Sequence, residues 1–214
     1  LVASNEAGAN RLKRMMEEYR IPDLGALSAH ILEASDKSMR EAIRKLPKGS
    51  WSHAMRIDGF DKPIDLVATL TIEEDMIRID FAGTSGVSRY GINCPICYTD
   101  AYTSFGVKCL VAPRLANNAA VLARISVTAP DNCIVNALFP APVTARAVIG
   151  QMLPDVVFGC FDQAMPGEVP AEGTGASWSL RLGGGPGITG NVDAKSTPFM
   201  SQTYQSGGMG AQPK

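Results

Sequence analysis

The feature that most constrains this chain is a change of hydrophobic period near residue 48. Before it, apolar residues recur every three or four positions. After it, they alternate. Such a switch separates a helical segment from a sheet, because side chains share a face at a period of 3.6 in a helix and 2 in a strand.

The helical part covers residues 1–49. A first helix is expected from Ser4 or Asn5, which can start or cap it, to about Arg20. Leu12, Met15, Met16 and Tyr19 form its apolar stripe. Pro22 and Asp23 then open a second helix with Leu24, Leu27, Ile31, Ala34, Met39, Ala42, Ile43 and Leu46 on its apolar positions, closed by Pro47-Lys48-Gly49. From residue 50 the stretches WSHAMRID, DLVATLTI and MIRIDFAG read as strands of an antiparallel meander. Leu66, Ala68, Leu70 and Ile72 share one face of the second strand, and Ile77, Ile79 and Phe81 one face of the third. Glu73-Glu74-Asp75 is the polar hairpin loop between them.

Further on, TSGVSRYGINCP is a polar glycine loop over residues 84–95. A buried helix follows from Ile96 to Val111, ended by Pro113. ARISVTAP reads as a strand and residues 133–138 as a short apolar piece. Residues 142–165 read as a long apolar helix kinked or divided at Pro154. The glycine-rich remainder alternates enough around residues 177–182 and 200–204 for two short strands. The expected class is α+β: N-terminal helices, an antiparallel β meander, then mixed helices and short strands. Residues 50–214 form one mixed region, and a domain that continues beyond this chain is expected.

Composition excludes several function classes. Hydrophobic residues make up 45% and charged residues 19%, enough apolar content for a packed core. Net charge is −1, and no basic stripe interleaved with aromatics suggests nucleic acid. No apolar run reaches the roughly 20 residues needed to cross a bilayer, and the N-terminus lacks the basic-then-apolar order of a signal peptide. A cytoplasmic protein is expected.

Five cysteines, at 94, 97, 109, 133 and 160, do not form a secreted disulfide pattern. Cys94-Pro95-Ile96-Cys97 has redox spacing, and a loop runs into a helix there. Yet Pro95 follows the first cysteine directly, and no second cysteine or histidine pair completes a zinc set. A structural role is favoured: Pro95 in the first helical turn and Asn93 as its cap. His30 and His53 are read as solvent-facing or satisfied. Asp36, Glu41, Asp155 and Asp162 are read as solvated or capping charges on helices. The runs Gly183-Gly184-Gly185-Pro186-Gly187 and Gly207-Gly208-Met209-Gly210 lack the lysine and serine or threonine of a phosphate loop, and hairpin turns are the simpler account. Arg146 lies in the apolar stretch PVTARAVIG. A structural ion pair is the favoured use of its charge, with binding of an anion or carboxylate as the other.

The ordered pattern DFAGTS…GINCP…YTDAYTSFGVKCLVAP…NNA…ISVTAPDNCIVNALFPAPVTAR…DVVFG…PAEG, with ASNEAGANRLKRMMEEYR before it and GGMGA after it, resembles the family of N-methylhydantoinase B-type subunits, 5-oxoprolinase C-terminal regions and acetone carboxylase α-subunits. The resemblance runs through essentially the whole chain. It implies an A-type partner subunit that binds ATP and Mg and phosphorylates an amide or carbonyl oxygen. It implies a cyclic amide or ketone as substrate. It also implies a Mn or Zn site in some members, on histidine and aspartate motifs expected upstream of residue 1, so the chain is expected to be the central part of a B-type subunit. Carried onto this sequence, the matching positions are Asn93 and Arg146 as catalytic residues. Cys94, Pro95, Gly207 and Gly208 match as substrate or interface residues. Cys97 falls where the pattern requires no cysteine. The leading expectation is ATP-dependent opening of a hydantoin or 5-oxoproline ring. The alternatives are ketone carboxylation, a non-catalytic assembly domain, and a thiol oxidoreductase.

Overall fold

The computed structural model describes residues 1–175, 178–185, 198–205 and 207–213. Helix α1 spans Val2–Glu18 and α2 spans Gly25–Arg44. Strands β1 (Gly49–Ile57), β2 (Ile64–Ile72) and β3 (Ile77–Asp80) follow, then α3 (Ile96–Val111), α4 (Ala119–Leu122) and β4 (Ile125–Thr128). The chain continues through α5 (Ala147–Gly150), α6 (Leu153–Ala164), β5 (Trp178–Gly184) and β6 (Phe199–Gln205). The class is α+β.

The alternation read from sequence forms the sheet. β1, β2 and β3 pair antiparallel in that order, with Trp51 opposite Leu70 and Leu70 opposite Ile79. Ile64, Leu66, Ala68, Leu70 and Ile72 turn to the buried face. The opposite face is polar: Ser50 bonds Thr71, Ser52 bonds Thr69 at 2.8 Å, and Arg56 pairs with Asp65. β4 completes the sheet parallel to β3, so the sheet is not a pure meander. A parallel neighbour cannot be reached by a hairpin, and α3 and α4 lie within the crossover.

α6 covers β1 and β2, and α3 packs on β4 and α6. Val156, Val157, Cys160 and Phe161 of α6 are wholly buried against the sheet. Two glycine contacts set these distances. A Cβ on Gly106 would lie 2.9 Å from Pro154 Cα, so α3 and α6 touch through a bare backbone. A Cβ on Gly159 would strike the imidazole of His53 on β1.

Several expectations change. α1 buries no residue, and no side chain caps it; its stripe is left open, with Leu12 and Tyr19 exposed. α2 begins at Gly25, whose N–H donates to Asp23 Oδ1, and it buries Met39 and Ile43 but leaves Leu27 and Ile31 in solvent. The long helix over residues 142–165 is two helices. Pro154 stands in the first turn of α6, where its missing N–H costs nothing, so it starts a helix rather than kinking one. Asp36 is not merely solvated: it joins Arg40 and Arg124 across α2 and the start of β4. The hairpin loop residue Asp75 ties Arg40 and Arg44 to the sheet. The tail strands occur as the antiparallel pair β5–β6. Pro186 and Gly187 of the first glycine run lie outside the described residues.

Candidate functional site

The sequence-predicted residues gather at two places. The first is the loop leading into α3. Asn93 is fully buried, and its amide is used in full. Nδ2 donates to the carbonyls of Ser88, Tyr90 and Pro142 at 2.8, 3.0 and 2.8 Å, while Oδ1 accepts from Ser88 N–H at 2.7 Å. It is therefore not the cap of α3. Pro95 holds the N-cap position in extended conformation, and no side chain bonds the helix end there. Asn93 instead ties the 84–95 loop to residue 142, and its saturated amide makes it a positioning group.

Cys94 lies beneath this loop. Its N–H donates to Ile134 O, Ala137 N–H donates to its carbonyl, and its thiol donates to Arg146 O at 3.3 Å. Burial pushes the Cys94 thiol up to about 12. Cys97 is exposed one turn further on, and all five cysteines are free thiols. The pair is not assembled as a redox or metal centre: one sulfur is a buried packing group and the other faces solvent.

Arg146 is exposed rather than buried in its apolar stretch. Its guanidinium lies over the Tyr98 ring, with 5.2 Å from Cζ to the centroid, and donates to Val143 O at 3.3 Å. The favoured ion pair is not made among the described residues. Tyr98 stacks on Tyr102 with ring centroids 4.7 Å apart and lies against Gly150, where no side chain could fit. Burial, and then the Tyr102 hydroxyl, push the Tyr98 phenol up to about 12. The result is a cation held on an aromatic surface, open to an incoming anion.

The second place is a groove of about 680 Å³ between α6 and the segments 167–172 and 211–213. Gly208 and Gly210 lie beside it, on the segment that pairs with residues 171–174. Ala171 N–H donates to Ala211 O at 2.9 Å and Thr174 N–H to Gly208 O at 3.1 Å, an antiparallel register. A Cβ on Gly210 would collide with the carbonyls of Ala171 and Glu172, and Gly207 has φ +68°. The second glycine run is thus a close backbone approach and a turn. The groove is lined by His53, Asp162, Gln163 and Glu172, with Phe158 and Pro170 as apolar surface. Asp155, on the first turn of α6, sits against Gly173, and burial raises its carboxyl above the ordinary range. Among the described residues no group of three or more His, Cys, Asp or Glu side chains could hold a metal ion, so no metal step is built on them. No described helix is long and apolar enough to cross a membrane.

The model of the hydantoinase B/oxoprolinase family matches residues 1–214. The chain belongs to that family. The B-type subunit of a D-/L-hydantoinase from Pseudomonas sp. (strain NS671) is 27% identical over 79% of this chain and 31% of its own length. The ATP-dependent caprolactamase of Pseudomonas jessenii shares the fold at TM-score 0.71 and 21% identity, covering 81% of this chain and 31% of that one. A nucleotide-free acetone carboxylase structure matches at TM-score 0.62 and 14% identity, over 72% and 23%. The chain thus spans about a third or less of the length of these relatives.

Sequence reasoning passed over the groove of this family member. Glu172 lies inside the PAEG stretch, and His53 reads as satisfied or solvent-facing. The available signal was a histidine on the inward side of β1, where Trp51, Met55 and Ile57 are apolar, together with a glycine inside α6.

Proposed function

We propose that this chain is part of the B-type subunit of an ATP-dependent cyclic amidohydrolase that opens a hydantoin or 5-oxoproline ring. It works with an A-type subunit that binds ATP and Mg. The observation that carries the reading is the family match over all 214 residues; the fold likeness to an ATP-dependent caprolactamase supports it.

In this reading the A-type subunit activates the amide by phosphorylating its oxygen. The chain's own residues position and stabilise. Arg146 presents a fixed positive charge on the Tyr98 ring, outside the groove, suited to phosphate oxygens that the A-type subunit brings to the shared interface. Asn93 positions Arg146 by holding residue 142 against the 84–95 loop. Cys94 fixes the Arg146 carbonyl, and Pro95 starts the helix that carries Tyr98. Gly207 turns the chain and Gly208 O accepts from Thr174 N–H, which holds the segment that pairs beside the groove. The location is cytoplasmic.

The test is substrate-dependent ATP hydrolysis by the full-length chain with its A-type partner. Hydantoin or 5-oxoproline is expected to stimulate it, and Arg146→Ala to reduce kcat/KM about a hundredfold. Stimulation by acetone and bicarbonate alone would establish the second reading, a ketone carboxylase, which the acetone carboxylase fold likeness favours. Turnover unchanged in Arg146→Ala would remove Arg146 from the catalytic machinery.

A further inference from the structure

His53 occupies a position that the strand pattern reserves for an apolar side chain. On β1 the inward residues are Trp51, His53, Met55 and Ile57, and they face α6. The protein accommodates the imidazole by placing a glycine in the middle of α6. Gly159 lies directly under Cγ, Cδ2 and Nε2 of the ring. A glycine inside a helix costs about 1 kcal/mol relative to alanine. Proteins break such local rules mainly at functional or strained sites.

The ring is not sealed in. Its side chain keeps 31% exposure, and Nε2 points to Glu172 Oε1 at 3.4 Å. The backbone at Glu172 is held by the segment 207–213, because Gly210 lets that segment lie against the carbonyls of residues 171 and 172. Gln163 braces the other side, donating to Ser52 O at 2.8 Å and Gly159 O at 3.0 Å. A donor and an acceptor therefore stand side by side on one edge of the groove.

We infer that the His53–Glu172 edge is the recognition site for the ring amide of the substrate. His53 Nε2–H donates to the ring carbonyl, and Glu172 accepts the adjacent ring N–H. A ring forces its amide to be cis, which puts N–H and C=O on the same edge. An open-chain secondary amide is trans and shows them on opposite edges. One donor beside one acceptor thus selects cyclic over open-chain amides. The groove also rejects phosphate. Asp162 and Glu172 line it, and among the described residues no lysine or arginine does, so a nucleotide tail would meet negative charge. This inference rests on the cyclic amidohydrolase reading above and adds the place where the ring binds.

The experiment uses the full-length chain with its A-type partner and has two parts. Direct binding is measured without ATP by saturation-transfer NMR, with a five-membered lactam and with N-methylacetamide. Substrate-dependent ATP hydrolysis is measured alongside. The lactam is expected to bind at least about tenfold more tightly than N-methylacetamide. His53→Gln, Glu172→Ala and Gly159→Ala are each expected to weaken lactam binding about tenfold or more and to raise KM for the cyclic amide. The KM for ATP should stay as in the unsubstituted enzyme. Gly159→Ala keeps both polar groups and only displaces the ring, and unchanged thermal melting confirms that each variant folds. Lactam binding unaffected by all three substitutions overturns the inference, as does equal affinity for the two amides. Tight, variant-sensitive lactam binding without any lactam-dependent ATP hydrolysis keeps this site and removes the amidohydrolase reading instead.

Discussion

Asn93 Nδ2 lies 2.8 Å from Pro142 O, and this bond joins two loops separated by 49 residues. On one side is the polar loop entering α3. On the other is the segment that turns into Arg146 and α5. Asn93 is fully buried with both side-chain polar atoms bonded, so truncation leaves the Ser88 and Pro142 carbonyls and the Ser88 N–H without these partners, while Tyr90 O keeps the Ile92 N–H. Asn93→Ala is expected to lower unfolding free energy by about 2–3 kcal/mol. A urea titration checks it, and a loss below about 0.5 kcal/mol would show that the loops are held by other means.

The thiols offer a direct test of the redox reading. The Cys94 thiol is pushed up to about 12 by burial, so at pH 8 only about one part in ten thousand is thiolate. Cys160 is pushed up to about 11 for the same reason. Cys97 and Cys109 are exposed. An aromatic disulfide reagent on the native protein should modify two cysteines and leave three untouched. Cys97→Ser should leave turnover unchanged. Rapid modification of Cys94 would contradict the buried, structural assignment.

Gly106 sets the separation of α3 and α6. A methyl group there meets Pro154 Cα at 2.9 Å, a backbone atom that cannot swing aside. Gly106→Ala gains about 1 kcal/mol of helix propensity but overpacks by about 1–3 kcal/mol. A net destabilisation of about 1 kcal/mol is expected, visible as a lower melting temperature. A gain in stability would mean that the helices can part freely.

Asp36 gives the pH dependence. The Arg124 side-chain hydrogen bond, reinforced by Arg40 and offset in part by desolvation, holds its carboxyl below the usual carboxylate range. A folded pKa below the unfolded one means the folded state favours the ionised form. The stabilisation is therefore complete above about pH 4, where the unfolded carboxyl is ionised, and is lost as pH falls through the folded value. Asp36→Asn should lower stability at neutral pH and flatten the acid limb of a stability-against-pH curve. An unchanged acid limb would show that the network is screened out.

Gly210 is expected to govern the groove wall. Gly210→Ala drives a methyl group into the carbonyls of Ala171 and Glu172. The amides of Ala171 and Thr174, which bond Ala211 O and Gly208 O, should then exchange with solvent at least about tenfold faster. Unchanged protection would show that the strand pairing does not depend on this glycine.

Local physics made much of this molecule legible in the sequence. Alternation from residue 50 onward fixed three strands and their buried face, since a one-residue slip would turn Leu66, Leu70 and Ile79 to solvent. The ordered motifs named the family. Tertiary structure decided the rest. Asn93 read as a helix cap because a cap is a local device; its carbonyl partner at Pro142 is far away in sequence. Arg146 read first as half of a structural ion pair because its neighbours are apolar, yet it is exposed and lies over the Tyr98 ring. Pro154 read as a kink or a division, and the fold divides the stretch there, with Pro154 in the first turn of α6. His53 and Glu172 lie far apart in the chain, and the local signal is limited to a histidine among the inward apolar residues of β1. Only the packing of α6 on β1, through Gly159, and the register of the glycine strand bring them together. Periodicity reports which side of an element is buried; what that side meets is set by how elements cross, and the chain carries that information in its glycines.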